Sequence, residues 1–456
     1  MRRKAFIGVI AVALCVYTVF LVRPYIQPRA DPLQKEFIKT KHAEARRLAQ
    51  NDTNPIPAKV WAFFRAAERN DYESAVLIHD KLTESEYAPR PNRSGMEKFW
   101  DDFKLEVGIA DKESKLSHLS LVASMWDAEN ALRLFRNADP KWIRRLGAEL
   151  IATVSTNGIL FTGTDTAQVT VLCVNNSLPN KKPIGLIAIN DLADGRYLEY
   201  LRQTCGGNFS IPTPQDSQNA FQEYMWEAQR RMEQLSKTNG SSAAASTILH
   251  KSPVNQINSH IARRFMEKNP GREFFVGDVL YLDWLLPFLE PCGPLLRVRG
   301  SPVENLDEDV VQKDRDYWRR LVGELIGQWL EDKTPVPEVC RFVEATYQHK
   351  DLSRFKGAAS FARDGKMREL LARLRASTAT VYQYHSEHAV SPGEQQKLRA
   401  EADFAFRQAL ALCPSAPQLA ESYADFLIAV HRETDARAVT RVLADSQSKS
   451  DSAKSD

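Results

Sequence analysis

The sequence predicts an α/β core with a short, mainly parallel sheet, set between α-helical repeat-like flanks and carried on a single N-terminal transmembrane helix. Three observations predict it. The chain opens on an uninterrupted apolar run at 5–22. Two short apolar runs, 159–161 and 184–189, are bounded by Gly, Pro or Asp, and each leads into a helical pattern. That is the rhythm of a βαβα unit. After Ser301-Pro302, apolar residues recur at helical spacing to the end of the chain.

With 456 residues the chain has room for two or three domains. Hydrophobic content of 43% and charged content of 26% are ordinary for a globular protein. The net charge of +3 comes from 61 basic and 58 acidic residues spread along the chain, so no basic face points to nucleic acid. Cys15 lies in the apolar run, and Cys173, Cys205, Cys292, Cys340 and Cys413 stand alone without a CxxC pair. Five lone thiols are expected, with a Cys205–Cys292 bridge left open, and no zinc site or cofactor.

At the N-terminus, Arg2, Arg3 and Lys4 precede the apolar run. Its residues at 1.5 Å each reach roughly 27 Å, close to the thickness of a bilayer core. Arg23, Pro24 and Tyr25 follow at once with no small-x-small cleavage site, and Leu14 fills the position that a lipidated Cys15 needs small. An uncleaved single-pass anchor is expected, held by membrane lipid through residues 5–22. The basic cluster predicts an exported body on the periplasmic or extracellular side. Arg23, Arg29, Lys35, Lys39 and Lys41, beyond the span, dilute that bias. The expected organisation is an anchor at 1–28, a helical region at 29–138, an α/β core at 139–300, a helical-repeat region at 301–445 and a disordered, serine-rich tail at 446–456.

Residues 29–56 read as a helix or stalk. Helical spacing at 58–82, broken at Asn70-Asp71, predicts two short antiparallel helices, with Trp61 on their core face. A loop at 89–94 and helices at 96–107 and 116–136 follow. Asp139-Pro140 supplies an N-cap and a first-turn proline for a helix to about Val154, buried through Trp142, Leu146, Leu150 and Ile151.

Ligands of open α/β sheets bind beyond the carboxyl ends of the strands. Here those ends hold Gly163-Thr164-Asp165-Thr166 and Asn190-Asp191, with Asp194 close behind. Thr164, Asp165, Thr166, Asn190, Asp191, Asp194 and Asp216 are therefore candidate ligand-binding residues. The competing reading makes Thr164 or Asp165 a cap of the helix after the first strand, and Asn190, Asp191 and Asp194 caps of the helix at 195–204. No P-loop and no dinucleotide fingerprint is present. Asp216 or Ser217 caps a further helix to about Leu235, whose row of Phe221, Tyr224, Met225 and Trp226 is expected to pack on the sheet. A low-complexity loop at 237–245 and a helix at 254–268 follow. Strands are expected at 273–279 and 294–299, with Asp278 and Asp283 as further acidic groups around an apolar corner. His250 and His260 read as surface or core residues. Nothing forms a nucleophile–base pair or a metal cluster, so no catalytic or metal-ligating residue is assigned.

Several motifs, in order, resemble a known family: Gly163-Thr164-Asp165; Asn190-Asp191-Leu192-Ala193-Asp194-Gly195-Arg196-Tyr197; Ile211-Pro212-Thr213; Gln215-Asp216-Ser217-Gln218-Asn219-Ala220-Phe221; and Asp283-Trp284-Leu285-Leu286-Pro287-Phe288-Leu289-Glu290-Pro291. Together, over about 140–300, they resemble the soluble C-terminal region of a bacterial domain-of-unknown-function family. Its members are multi-spanning membrane proteins related to glycosyltransferase-C-type protein O-mannosyltransferases. The resemblance implies the family's soluble appendage on one anchor, without the transmembrane helices that carry a transferase's catalytic loop, and it transfers no activity.

In the last helices, Ala402, Phe406, Ala409 and Pro414 match the spacing of the second helix of a tetratricopeptide repeat, and Ala436 follows Ala402 by that repeat's 34-residue period. A strongly amphipathic helix is also expected at 314–331. The leading expectation is a membrane-anchored, non-catalytic interaction or assembly protein with its partner on the tetratricopeptide-like surface. The alternative is a glycan-binding or glycan-processing protein that uses Asp165, Asp191, Asp194 and Asp216. A third is an assembly subunit for a membrane transferase.

Overall fold

The computed structural model describes residues 30–52, 55–84, 121–237, 253–279, 282–416 and 418–452. The expected span at 5–22, the loop at 89–94, the helix at 96–107, His250 and most of the stretch at 237–245 lie outside the described residues. Among the described residues no helix is long and apolar enough to cross a membrane.

Helix α1 (Pro32–Ala49) is followed by α2 (Ala58–Glu68) and α3 (Tyr72–Glu84), the expected pair broken at Asn70. α1 is no stalk. Leu33, Phe37, Ile38, Ala45 and Leu48 are all buried, and it packs against α4 (Val122–Asn137). Helix α5 (Pro140–Thr153) starts where expected, because Asp139 accepts a hydrogen bond from the Lys141 N–H.

The chain then builds the sheet: β1 (Ile159–Thr162), α6 (Asp165–Ser177), β2 (Gly185–Ala188), a 3₁₀ turn (Ile189–Asp191), α7 (Gly195–Cys205), α8 (Pro214–Lys237), α9 (Pro253–Glu267), β3 (Phe274–Val276), a second 3₁₀ segment (Asp283–Phe288), β4 (Leu289–Cys292) and β5 (Leu295–Val298). Strand order is β2-β1-β3-β5-β4. β1 runs parallel to β2 and β3, whereas β5 is antiparallel to both β3 and β4. The sheet is thus mixed, which corrects the expectation of a mainly parallel one.

Strand β4 was unexpected, since Glu290-Pro291-Cys292-Gly293 reads as a corner. It pairs only with β5, so Pro291 lies in an edge strand, where a missing N–H breaks no ladder bond. Gly293, at φ +60°, turns the chain back into β5.

Side chains of the sheet alternate between two cores. Leu160, Phe275 and Leu295 face one, with Trp142, Val171, Trp318 and Phe406; Ile159, Phe161, Phe274, Val276 and Leu296 face the other, with Phe63, Leu198, Phe265 and Val381. Both faces are covered by helices, so period-2 amphipathicity is replaced by short, wholly apolar runs.

The remaining helices are α10 (Glu308–Ile326), α11 (Val336–Val343), α12 (Ala359–Arg363), α13 (Gly365–His388), α14 (Pro392–Leu412), α15 (Leu419–Ala429) and α16 (Glu433–Ser452). α10 begins and ends earlier than the expected 314–331, because Asp307 caps it and Gly327, at φ +94°, stops it. α13 pairs with α14 and α15 with α16, and α13 also lies on β4, β5, α4 and α6. Ala402, Phe406 and Ala409 are fully buried. α16 runs through Ser452, past the expected boundary at 445. A wholly buried ion pair ties these helices together: Arg375 donates to Asp314 at 2.7 Å and to Gln408 at 2.8 Å, and the Tyr382 hydroxyl donates to Asp314 at 2.9 Å.

Candidate functional site

A cavity of about 290 Å³ opens at the carboxyl ends of β1 and β2. α4 gives it Trp126, Asp127, Glu129 and Asn130, α6 gives Asp165 and Gln168, the first 3₁₀ turn gives Asp191, α7 gives Tyr197 and α3 gives His79. Four carboxylates therefore face one cleft with an indole wall.

Local capping explains how Asp165 and Asp191 reach it. Thr164, not Asp165, caps α6, accepting the Ala167 N–H at 3.2 Å. Asp194, not Asp191, caps α7, accepting the Arg196 N–H at 2.8 Å. Asp165 and Asp191 are released from capping, and neither side-chain carboxylate accepts a hydrogen bond from a described residue.

The other candidates are structural in place. Asn190 donates to the Gly163 carbonyl at 2.8 Å and joins the two strand ends. Thr166 stands in the first turn of α6, half-buried and outside the cavity lining. Asp194 also grips the Arg196 guanidinium, and it reaches the cleft only through its field on Asp191. Asp216 is remote from the cavity. It accepts the Thr213 N–H at 2.6 Å, Thr213 accepts the Asp216 N–H in return, and Lys268 pairs with it at 3.0 Å. That is a capping box at the start of α8. The expected row on α8 does not pack on the sheet throughout, since Trp226 is 60% exposed. Asp278 is bound by Arg373 at 2.9 and 2.6 Å, which clamps the end of β3 to α13. His260 lies between α8 and α9, near Glu223 and Glu227.

Reading the sequence missed the Trp126 wall and three charged groups: Asp127, Glu129 and Lys41. Lys41 is buried, and its ammonium meets Asp127 at 2.9 Å, Glu44 at 3.0 Å and the Tyr200 hydroxyl at 2.9 Å. Burial opposes its charge, but Asp127, Tyr200 and Glu44 outweigh burial and hold the ammonium well above the ordinary lysine value. Gln168 donates to the second oxygen of Asp127 at 3.4 Å. Glu129 pairs with Arg133.

Among the described residues Asp191 has no such cation. Burial, then the negative fields of Asp165, Asp194 and Asp127, push its carboxyl up to about 7. Asp165 is raised by burial and by Asp127, against a weaker pull from Lys366. Tyr197 is buried, and its oxygen accepts the Ala188 N–H at 2.8 Å. Its own proton is held firmly by burial and by Asp191.

The described cysteines are all free thiols, and burial raises each of them above the ordinary thiol value. No family model, curated protein or solved structure matches the chain.

Proposed function

We propose that this chain is a membrane-anchored, exported binding protein whose acidic cleft takes a hydroxyl-rich ligand of the glycan class. One observation carries the reading: Asp165 and Asp191 come from two separate strand ends and line one cavity, and their carboxylates accept no hydrogen bond from a described residue. Carboxylates that neither cap nor pair are suited to sugar hydroxyls, and an aromatic wall such as Trp126 suits the apolar face of a sugar ring. The cavity is at the small end of ligand sites, enough for about one sugar residue.

The tetratricopeptide-like helices bear on this choice. Ala402, Phe406 and Ala409 are buried between helices, as repeat-type packing requires, and so identify no partner surface. The anchor, the exported orientation and the family resemblance come into this reading from the sequence. Ligand-observed NMR on the full chain in detergent, against a panel of mono- and disaccharides, tests it. Binding that is lost in Trp126→Ala and in the Asp165→Asn/Asp191→Asn double variant supports it, and a panel with no binder, or one indifferent to both variants, overturns it.

A further inference from the structure

We infer that the ligand carries a positive charge beside its hydroxyls, an ammonium group as on an amino sugar, with Asp165 and Asp191 as its counter-ions. The inference rests on the cleft being the ligand site, and it starts from charge. Among the described residues the cavity is lined by four carboxylates and by no lysine or arginine. Two of the four are answered from within the fold: Asp127 by Lys41 and Glu129 by Arg133. Outside the lining, Asp194 is answered by Arg196. Asp165 and Asp191 are left, with only the distant Lys366 felt by Asp165. A neutral sugar would satisfy their hydrogen bonds but leave the ionisation of Asp191 opposed by Asp165, whereas an ammonium in the same cavity would favour the charged form of both.

Two independent features point the same way. The face of an indole attracts cations, and Trp126 already holds the Arg196 guanidinium 5.5 Å from its ring centre. Tyr197, 3% exposed, lines the cavity, and its hydroxyl keeps a proton to donate while its oxygen accepts the Ala188 N–H. A donor there calls for an acceptor on the ligand, such as a sugar oxygen, and a bare cation offers none. Nor do the carboxylates converge as a metal cage: among the described residues no three His, Cys, Asp or Glu side chains are placed to hold a metal ion. The positive charge then belongs to a molecule that also carries hydroxyls.

Calorimetry on the full chain in detergent, with glucosamine, glucose, N-acetylglucosamine and putrescine as probes, separates the possibilities. Glucosamine is expected to bind at least about tenfold more tightly than glucose or N-acetylglucosamine, the difference one charge-assisted hydrogen bond makes. That preference should shrink with added salt and vanish in Asp165→Asn/Asp191→Asn, with folding checked by circular dichroism. Equal or tighter binding of glucose or N-acetylglucosamine overturns the positive charge while leaving the glycan reading standing. Putrescine binding as well as glucosamine overturns the need for hydroxyls. If none of the four binds, both the inference and the reading beneath it fall.

Discussion

Lys41 on α1 and Asp127 on α4 form a buried ion pair at 2.9 Å that supports the floor of the acidic cleft. One ammonium there serves two carboxylates and a phenol, so its removal strands buried charge rather than merely losing a contact. Lys41→Met should cost about 3–5 kcal/mol of stability. Adding Asp127→Asn should return part of that loss. Urea unfolding of the two variants checks both statements.

The raised carboxyl of Asp191 makes stability depend on pH in a definite direction. In the unfolded chain an aspartate titrates near pH 4, and in the fold Asp191 titrates at about 7. Between these values the folded state holds the extra proton, so this group's contribution falls as pH rises and the loss is complete above about pH 7. Asp191→Asn removes the ionisation. The variant should match the wild type near pH 4 and exceed it by roughly 2–4 kcal/mol at pH 8. Equal unfolding midpoints at pH 8 would sink the assignment.

Thr164 and Asp165 are neighbours with separate duties. Thr164→Ala removes the N-cap of α6 and should cost about 1 kcal/mol. Asp165→Asn should leave stability unchanged or raise it slightly, because burial and the repulsion from Asp127 disfavour the charge that the helix N-terminus favours. Denaturant midpoints of the two variants, measured side by side, are the check.

Gly163 permits close approach of the β1 end to Asp278: a Cβ at Gly163 would lie 2.5 Å from the Asp278 Cβ. Gly163→Ala should push Asp278 off the Arg373 clamp and cost about 1–3 kcal/mol. Gly195, at the start of α7, has nothing within 4 Å of such an atom. Gly195→Ala should leave stability unchanged or raise it slightly. Thermal melts that rank the two variants the other way would refute this packing account.

The places where sequence and fold agree have local causes. β1, β2 and α6 were readable because Gly, Pro, Asp and Thr punctuate them. Strand direction was not, since the three residues Phe274–Val276 look alike to a parallel or an antiparallel neighbour and only the returning chain decides. β4 was hidden by Pro291, which is tolerated at an edge that cannot be recognised before the strand order is known. Half of the cleft was legible, because Asp165 and Asp191 follow strand ends. Asp127, Glu129 and Lys41 were not, because a charged residue in a helix reads by default as solvent-facing. Asp127 did leave a trace: it stands four residues from both Ala123 and Ala131, inside an apolar stripe.

The sheet's cover has a consequence for how the chain can be divided. Helices from before residue 139 and after residue 300 close its two faces, and the cleft takes Asp127 and its lysine from the earlier part. A fragment of 139–300 would keep every strand, yet uncover part of both apolar faces and lose two of the four described carboxylates of the cleft. It should aggregate rather than fold. The stretch expected as a core domain at 139–300 is packed between helices from both sides of it in the chain.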